Sequence, residues 1–153
     1  MTSLIVFTLA AFLLGALLTY FVRQTALRLG IVDAPDGVRK LHNHAIPLGG
    51  GVAIYLAFTL MMLSLFLWPN RWRSEFLADW SYYAGFLISA GIICVLGLID
   101  DRINLRGRQK LMGQFAAVTV LIASGLVIRK FTIFEWGFDL GLLAVPFTAF
   151  WML

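Results

Sequence analysis

The sequence predicts an all-α, polytopic integral membrane protein with four full transmembrane helices and a truncated fifth. Of its 153 residues, 61% are hydrophobic and 13% are charged, which is far more apolar than a soluble domain of this size. The apolar residues also gather into segments close to the roughly 20 residues that a helix needs to cross a bilayer. The net charge of +4 is carried by the connections between these segments, so we exclude nucleic-acid binding as a function.

The predicted transmembrane segments follow one another with short polar connections. They cover residues 3–22, 48–68, 81–99 and 111–128, and a partial fifth segment covers 140–153. No basic region precedes the first segment and no cleavage site of small residues follows it, so we interpret it as a retained helix and not as a signal peptide. Gly30 and the turn at residues 33–37 end the polar extension of this helix.

The distribution of lysine and arginine predicts how the chain crosses the membrane. The connections at 23–47 and 100–110 carry four basic residues each, and those at 69–80 and 129–139 carry two each. Because cytoplasmic connections are enriched in these residues, we expect the N-terminus outside and the first and third connections in the cytoplasm.

Four charge and polarity choices around the third connection run against the usual preferences of helix ends. Asp100 and Asp101 close the third apolar segment, where the helix dipole disfavours carboxylates by roughly 0.3–1 kcal/mol each. Lys110 opens the next segment, where anions are preferred, and Gln114 follows four residues later on the same helical face. Departures of this kind are expected at functional sites.

Two interpretations of the carboxylate pair stay open from the residues alone. The aspartates can simply form salt bridges with arginines of the same connection, namely Arg102, Arg106 and Arg108. Alternatively, Asp100 and Asp101 can bind a divalent metal such as Mg²⁺, which usually takes one or two protein carboxylates together with substrate phosphates.

The first connection offers groups that suit an anionic ligand. The stretch RKLHNHAIP, residues 39–47, brings Arg39, Lys40 and His42 to the side that we expect to face the third connection. Pro47 and the glycines at 49–51 then mark the start of the second apolar segment. These glycines have two explanations, which are close helix packing or a backbone that approaches a ligand phosphate. The pattern of a P-loop is absent.

Two stretches together resemble a known family. VDAPDGVRKLHNHAIPLGGG, residues 32–51, is followed about fifty residues later by GLIDDRINLRGRQKLMGQ, residues 97–114. In this order and combination they are similar to the polyprenyl-phosphate N-acetylhexosamine-1-phosphate transferases of glycosyltransferase family 4. The resemblance is closer to the branch that uses UDP-N-acetylglucosamine and starts lipopolysaccharide O-antigen, enterobacterial common antigen or teichoic acid linkage units. The peptidoglycan branch has T-P-T-M-G-G where this chain has IPLGGG.

The resemblance implies an enzyme of the inner (plasma) membrane with its active site on the cytoplasmic face. Such an enzyme transfers a sugar 1-phosphate from a UDP-N-acetylhexosamine to undecaprenyl phosphate and releases UMP, with Mg²⁺ or Mn²⁺ as cofactor. Asp100 and Asp101 are then the catalytic and metal-binding residues. Together with the residue pattern, the resemblance predicts substrate binding by seven further residues: Arg39, Lys40, His42, Gly49, Gly50, Lys110 and Gln114.

The resemblance also implies that residues 1–153 are the N-terminal part of a longer membrane transferase domain. Members of the family continue into an asparagine-rich N-x-x-N-x-x-D-G segment, a further metal-binding aspartate and a loop that contains histidine. We therefore expect an incomplete chain that is inactive alone and that is either marginally stable or self-associates into a homo-oligomer. The alternative is a non-enzymatic small membrane protein, a regulator or an assembly partner, whose aspartates only form salt bridges.

Overall fold

Helices dominate the computed structural model, which describes residues 2–33, 45–67, 72–133 and 136–153. The helices are α1 (Thr2–Arg28), α2 (Gly50–Leu67), α3 (Arg73–Ala78), α4 (Trp80–Ile103), α5 (Gly107–Ala123) and α6 (Ala144–Met152). Two short antiparallel pairs accompany them, β1 (Val32–Asp33) with β2 (Ile46–Pro47) and β3 (Lys130–Ile133) with β4 (Trp136–Asp139). The predicted class, an all-α polytopic membrane protein, is confirmed.

Three of the described helices, α1, α2 and α4, are long and apolar enough to cross a membrane. They correspond to the first three predicted segments. The helix predicted over 111–128 is α5, which has 17 residues and ends at Ala123. It ends early because Gly125 takes a φ of +100°, a left-handed conformation that glycine adopts readily and that closes many helices. The fifth apolar run becomes helical as a 3₁₀ turn at Gly141–Leu143, followed by α6.

The chain divides into two compact units, residues 1–73 with 97–104, and residues 74–96 with 105–153. In the first unit α1 packs against α2, and Ala26 and Ala53 are buried. Small side chains of this kind let two helix backbones approach each other closely in a membrane. The β1–β2 pair joins the two ends of the first connection, with Val32 opposite Pro47 and Asp33 opposite Ile46.

A row of small residues holds α4 against α5 in the second unit. Gly85 lies so close to Ser124 that a Cβ added to the glycine would overlap the serine side chain. One turn along α4, the buried Ser89 hydroxyl donates a hydrogen bond of 2.8 Å to the carbonyl of Ala117. A Cβ added to Gly113 would lie 2.6 Å from Leu96 Cδ1. These contacts run in opposite directions along the two helices, so α4 and α5 form an antiparallel pair.

Thr148 connects α6 to the segment that follows α5. Its side chain is 0% exposed, and its hydroxyl accepts a hydrogen bond of 2.9 Å from the N–H of Ile128. The same hydroxyl donates to the carbonyl of Ala144 one turn earlier, at 2.6 Å. Thr148 therefore satisfies a backbone donor in a segment that has no regular hydrogen-bonding partner of its own.

We expect Thr148→Val to lower the free energy of unfolding by about 1–3 kcal/mol. Valine keeps the shape of threonine but leaves the Ile128 N–H without its acceptor in a partly buried position. Thr119→Val is the matched control, because the exposed Thr119 hydroxyl bonds only to the Phe115 carbonyl of its own helix, at 2.8 Å. Thermal unfolding in detergent, followed by circular dichroism, measures both variants. Equal losses in the two would contradict the role of Thr148.

Candidate functional site

The carboxylates at the end of α4 lie where the sequence predicts them. Asp100 and Asp101 occupy the last turn of the helix, which ends at Ile103. Asn104 follows with a φ of +48°, and its N–H bonds to the Asp100 carbonyl at 2.9 Å. Adjacent residues on a helix point about 100° apart, so the two side chains do not face each other. Asp100 is half-buried and Asp101 is exposed, and the pair therefore offers two carboxylates in different environments.

Of the salt bridges that the first interpretation allows, the one from Asp101 to Arg102 is not formed. Within the described part of its own unit, which includes Arg102, the Asp101 carboxylate forms no ion pair. It sits at the negative end of the helix dipole, and the adjacent Arg102 does not form a salt bridge with it. A ligand that brings positive charge would remove this unfavourable interaction.

Gly49 brings the end of the first connection to α4 within the first unit. A Cβ added to Gly49 would lie 3.4 Å from Leu98 Cδ2. Leu98 and Asp101 are three residues apart on α4 and thus share one helical face. The face of α4 that meets Gly49 is therefore the face that carries Asp101 one turn later. Leu98 was not among the residues predicted for the site. Its position three residues before Asp101 was the signal in the sequence that could have included it.

The glycines before α2 present open backbone. The helix begins at Gly50, and Gly49 precedes it with a φ of +85°, which requires glycine. No described residue lies within 4 Å of a Cβ built on Gly50 or Gly51. Close packing within the described chain therefore does not explain these two glycines. The first N–H groups of a helix have no partner inside it, and they are suited to bind an anion.

The strand pair β1–β2 holds this helix start in place. Beyond the pairing of Val32 with Pro47, the N–H of Leu48 bonds to the carbonyl of Ile31 at 3.0 Å. The end of α1 is thereby joined to the residue before Gly49. Arg39, Lys40 and His42, which the sequence predicts to bind substrate, lie outside the described residues.

Lys110 and Gln114 occupy one face of α5 in the second unit. The helix begins at Gly107, so Lys110 belongs to its first turn, where a cation is not preferred. The N–H of Arg106 bonds to Gln109 Oε1 at 2.9 Å, which satisfies one backbone donor at this end. Both Lys110 and Gln114 are half-buried. The predicted position of Lys110 at a helix start is confirmed.

The donor set fits a hard divalent cation of the magnesium type. Among the residues that the structure describes, no group of three or more histidine, cysteine, aspartate and glutamate side chains could hold a metal ion by itself. The carboxylates of Asp100 and Asp101 are oxygen donors, and Mg²⁺ typically needs only one or two of them when phosphate and water complete its shell. The arrangement suits a metal that arrives with a phosphorylated ligand.

We expect opposite effects on stability from alanine at two neighbouring glycines. Gly49→Ala forces an L-residue into a left-handed conformation and should destabilise the protein by about 1–2 kcal/mol. Gly50→Ala places a better helix former in the first turn of α2, where no described atom obstructs it, and should stabilise the protein by about 0.5–1 kcal/mol. Thermal unfolding of the two variants in the same detergent measures this difference. A destabilised Gly50→Ala variant would show that the glycine is packed.

Comparisons with known proteins identify relatives of this chain. The model of the family described as glycosyl transferase family 4 matches residues 83–153. The chain is 26% identical over 154 residues to the probable undecaprenyl-phosphate N-acetylglucosaminyl 1-phosphate transferase of Bacillus subtilis, an alignment that covers 99% of this chain and 40% of that protein. It is 33% identical over 121 residues to the decaprenyl-phosphate N-acetylglucosaminephosphotransferase of Mycolicibacterium smegmatis, covering 74% of this chain and 28% of that protein.

A third relative is similar to the chain at a comparable identity and coverage. The undecaprenyl-phosphate alpha-N-acetylglucosaminyl 1-phosphate transferase of Escherichia coli K12 is 28% identical over 119 residues, covering 76% of this chain and 29% of that protein. In these three alignments the chain thus spans at most 40% of its relative's length. No solved structure matches the chain.

Proposed function

We propose that the chain belongs to glycosyl transferase family 4, whose model matches residues 83–153, and that it takes part in the transfer of N-acetylglucosamine 1-phosphate from a UDP-sugar to a polyprenyl phosphate. The lipid acceptor is proposed to be undecaprenyl phosphate and the membrane the plasma membrane, with the Asp100 and Lys110 ends of α4 and α5 on the cytoplasmic side. The lipid-linked product would feed the synthesis of a cell-envelope polysaccharide.

One observation in the structure of this chain supports the proposal. The face of α4 that holds Asp101 meets Gly49, directly before the glycine-rich start of α2. A carboxylate for a cation and open backbone N–H groups for an anion thus belong to one compact unit. A reaction between two phosphate groups requires both kinds of contact.

The proposed reaction joins two phosphorus centres. An oxygen of the lipid phosphate attacks the β-phosphorus of the UDP-sugar, a new P–O bond forms, and the bond from that phosphorus to the UMP oxygen breaks. The electron pair of the broken bond leaves with UMP. Since nucleophile and electrophile are both anionic, the groups around them must offset negative charge before they can approach.

We assign each site residue of this chain a role in the proposed reaction. Asp100 and Asp101 hold Mg²⁺ or Mn²⁺, which when bound neutralises charge that develops on the phosphate oxygens. Either carboxylate can also accept a proton from the lipid phosphate. Positive charge for the phosphates comes from three side chains, Lys110, Arg39 and Lys40. Hydrogen-bond donors come from the side chains of His42 and Gln114 and from the N–H groups of Gly49 and Gly50.

Membranes of the organism that encodes this chain test the proposal in the protein's own setting. We compare membranes from the parent strain, from a strain without the gene and from that strain with the gene restored. Each receives radiolabelled UDP-N-acetylglucosamine, undecaprenyl phosphate and Mg²⁺. We expect labelled lipid and UMP to appear in equal amounts, to fall on deletion and to return on restoration.

Two further outcomes of this experiment would contradict the proposed reaction. Unchanged labelling after deletion would contradict the proposed function, and release of UMP without labelled lipid would contradict transfer to the polyprenyl phosphate. Parallel reactions with UDP-N-acetylgalactosamine test the proposed sugar, since faster labelling from that donor would replace N-acetylglucosamine in the proposal.

A further inference from the structure

A cavity of about 500 Å³ lies in the second unit, where the β3–β4 hairpin meets the start of α6. Of its seven lining residues, three are charged, three are apolar and one is Gly141. The charged side chains are Arg129, Lys130 and Asp139, and the apolar ones are Val127, Ala144 and Val145. A cavity with this mixed lining suits a ligand that has a charged group and a hydrocarbon part.

The charges around the cavity leave one cation available. Lys130 Nζ lies 3.5 Å from Asp139 Oδ2, and the N–H of Gly141 donates to Asp139 Oδ1 at 3.1 Å. This backbone hydrogen bond, with a smaller contribution from the Lys130 ammonium, lowers the pKa of the Asp139 carboxyl. Asp139 is therefore ionised near neutral pH and offsets Lys130. Arg129 is exposed and forms no ion pair with any residue that the structure describes, which gives the described lining of the cavity a net positive charge.

Hydrogen bonds fix the chain on both sides of the cavity. The N–H of Ile128 bonds to Thr148 in α6, and the N–H of Leu140 bonds to the carbonyl of Arg129 at 2.9 Å. Phe131 stacks on Phe138 across the hairpin, with ring centres 5.3 Å apart, and on Phe147 of α6 at 5.4 Å. A ligand would thus meet a preorganised cavity that needs little ordering on binding.

The residues beside the cavity are apolar and unusually exposed. Leu142 is 99% exposed, Leu143 67% and Val145 50%. Exposed apolar side chains gathered in one place mark a surface that contacts a membrane or a partner. The stacked rings of Phe147 and Trp151, 6.1 Å apart, continue this surface along α6, and aromatic rings are enriched where proteins meet lipid headgroups.

We propose that this cavity binds the headgroup phosphate of an anionic phospholipid. Arg129 donates hydrogen bonds to the phosphate, because a guanidinium matches the geometry of phosphate oxygens and is always charged. The acyl chains of the lipid extend out of the cavity across Val145 and Leu142. Hydrocarbon then covers these apolar side chains. The site lies at the end of α5 opposite to Lys110, and it is separate from the proposed transfer reaction.

Native mass spectrometry of the purified chain with added lipid tests the proposal. Phosphatidylglycerol and phosphatidylcholine with the same acyl chains are compared at equal concentration. We expect the chain to retain phosphatidylglycerol preferentially and Arg129→Gln to weaken this retention about tenfold, the loss of one charge-assisted contact. Arg73→Gln, which removes an equal charge from a residue that does not line the cavity, should leave it unchanged.

A second variant keeps the proposal testable if Arg129→Gln does not fold. In Asp139→Asn the amide oxygen still accepts from Gly141, while Lys130 loses its counter-charge, so phosphatidylglycerol should bind severalfold more tightly. Equal retention of the two lipids by the unmodified chain, or equal losses in Arg129→Gln and Arg73→Gln, would overturn the proposal. Displacement of the lipid by glycerol phosphate or inorganic phosphate at similar concentrations would show that the cavity takes a soluble anion instead.

Discussion

Asp101→Asn is expected to lower the transfer of sugar phosphate in membranes by roughly 10²–10⁴-fold while the protein stays folded. The exposed Asp101 carboxylate has no ion pair within the described part of its unit, so its removal breaks no structural contact there. It also removes a negative charge from the C-terminal end of α4, where the helix dipole disfavours it. We therefore expect thermal stability to stay the same or to rise slightly while activity is lost.

The matched control for this substitution is Asp79→Asn. Asp79 is an exposed aspartate at the turn before α4, where its backbone carbonyl accepts from Tyr82 at 3.0 Å. The two variants change charge equally and remain the same size, so a loss of activity confined to Asp101→Asn indicates a specific role of Asp101. Full activity in Asp101→Asn, or an equal loss in Asp79→Asn, would contradict the proposed role of the carboxylate pair.

The dependence on metal and on pH distinguishes the two roles proposed for the carboxylates. If Asp101 holds the metal, the residual activity of Asp101→Asn should need a higher Mg²⁺ concentration for half-maximal rate. If it accepts a proton instead, the Mg²⁺ requirement should stay constant and the acidic limb of the pH profile should change. The same measurements on Asp100→Asn test the half-buried member of the pair. A variant that changes neither dependence would exclude both roles for that residue.

Gly85→Ala is expected to destabilise the α4–α5 pair by about 1–3 kcal/mol, a large effect for one added methyl group. The new Cβ would overlap the side chain of Ser124, which has little freedom because its hydroxyl bonds to the Leu121 carbonyl at 2.7 Å. The helices would have to separate here, one turn from the buried hydrogen bond of Ser89 to Ala117. Thermal unfolding in detergent measures the loss.

A compensating substitution makes this test specific. Ser124→Gly removes the atoms that the new methyl group would meet, so the double variant Gly85→Ala, Ser124→Gly should recover most of the lost stability. Gly15→Ala is the control, since no described atom lies within 4 Å of a Cβ at that position of α1. Additive losses in the double variant would mean that Gly85 and Ser124 do not limit the approach of α4 to α5.

The long apolar helices could be predicted from the sequence because their length and hydropathy are local properties. The short strands and the short helix α3 could not be predicted in this way. Val32 pairs with Pro47 across the whole first connection, and two-residue strands carry no alternating pattern. The short helix α3, Arg73–Ala78, lies in a connection whose residues carry no pattern that predicts a separate helix. The early end of α5 depends on the backbone angle of Gly125, a residue that also fits inside a membrane helix.

In the candidate site, too, some features could be predicted from the sequence and others could not. The positions of Asp100, Asp101 and Lys110 at helix ends followed from where charge meets an apolar run. The approach of Gly49 to Leu98 joins residues far apart in sequence, so no local pattern reveals it. Neither did the sequence assign any role to Asp139, because its neighbours Lys130 and Gly141 come together only through the pairing of β3 with β4.

The length of α1 makes bilayer thickness relevant to the candidate site. Its 27 residues extend about 40 Å, while the hydrocarbon of a typical bilayer is about 30 Å thick. The apolar part ends before Arg23, so we expect the last turns to rise out of the hydrocarbon and to carry Ile31, which bonds to Leu48, to the depth of the headgroups. A thicker membrane would draw Arg23 inward or make α1 more upright, each at an energetic cost. In the proposed reaction, hydrophobic matching of α1 thus sets the depth at which Gly49 meets the lipid phosphate.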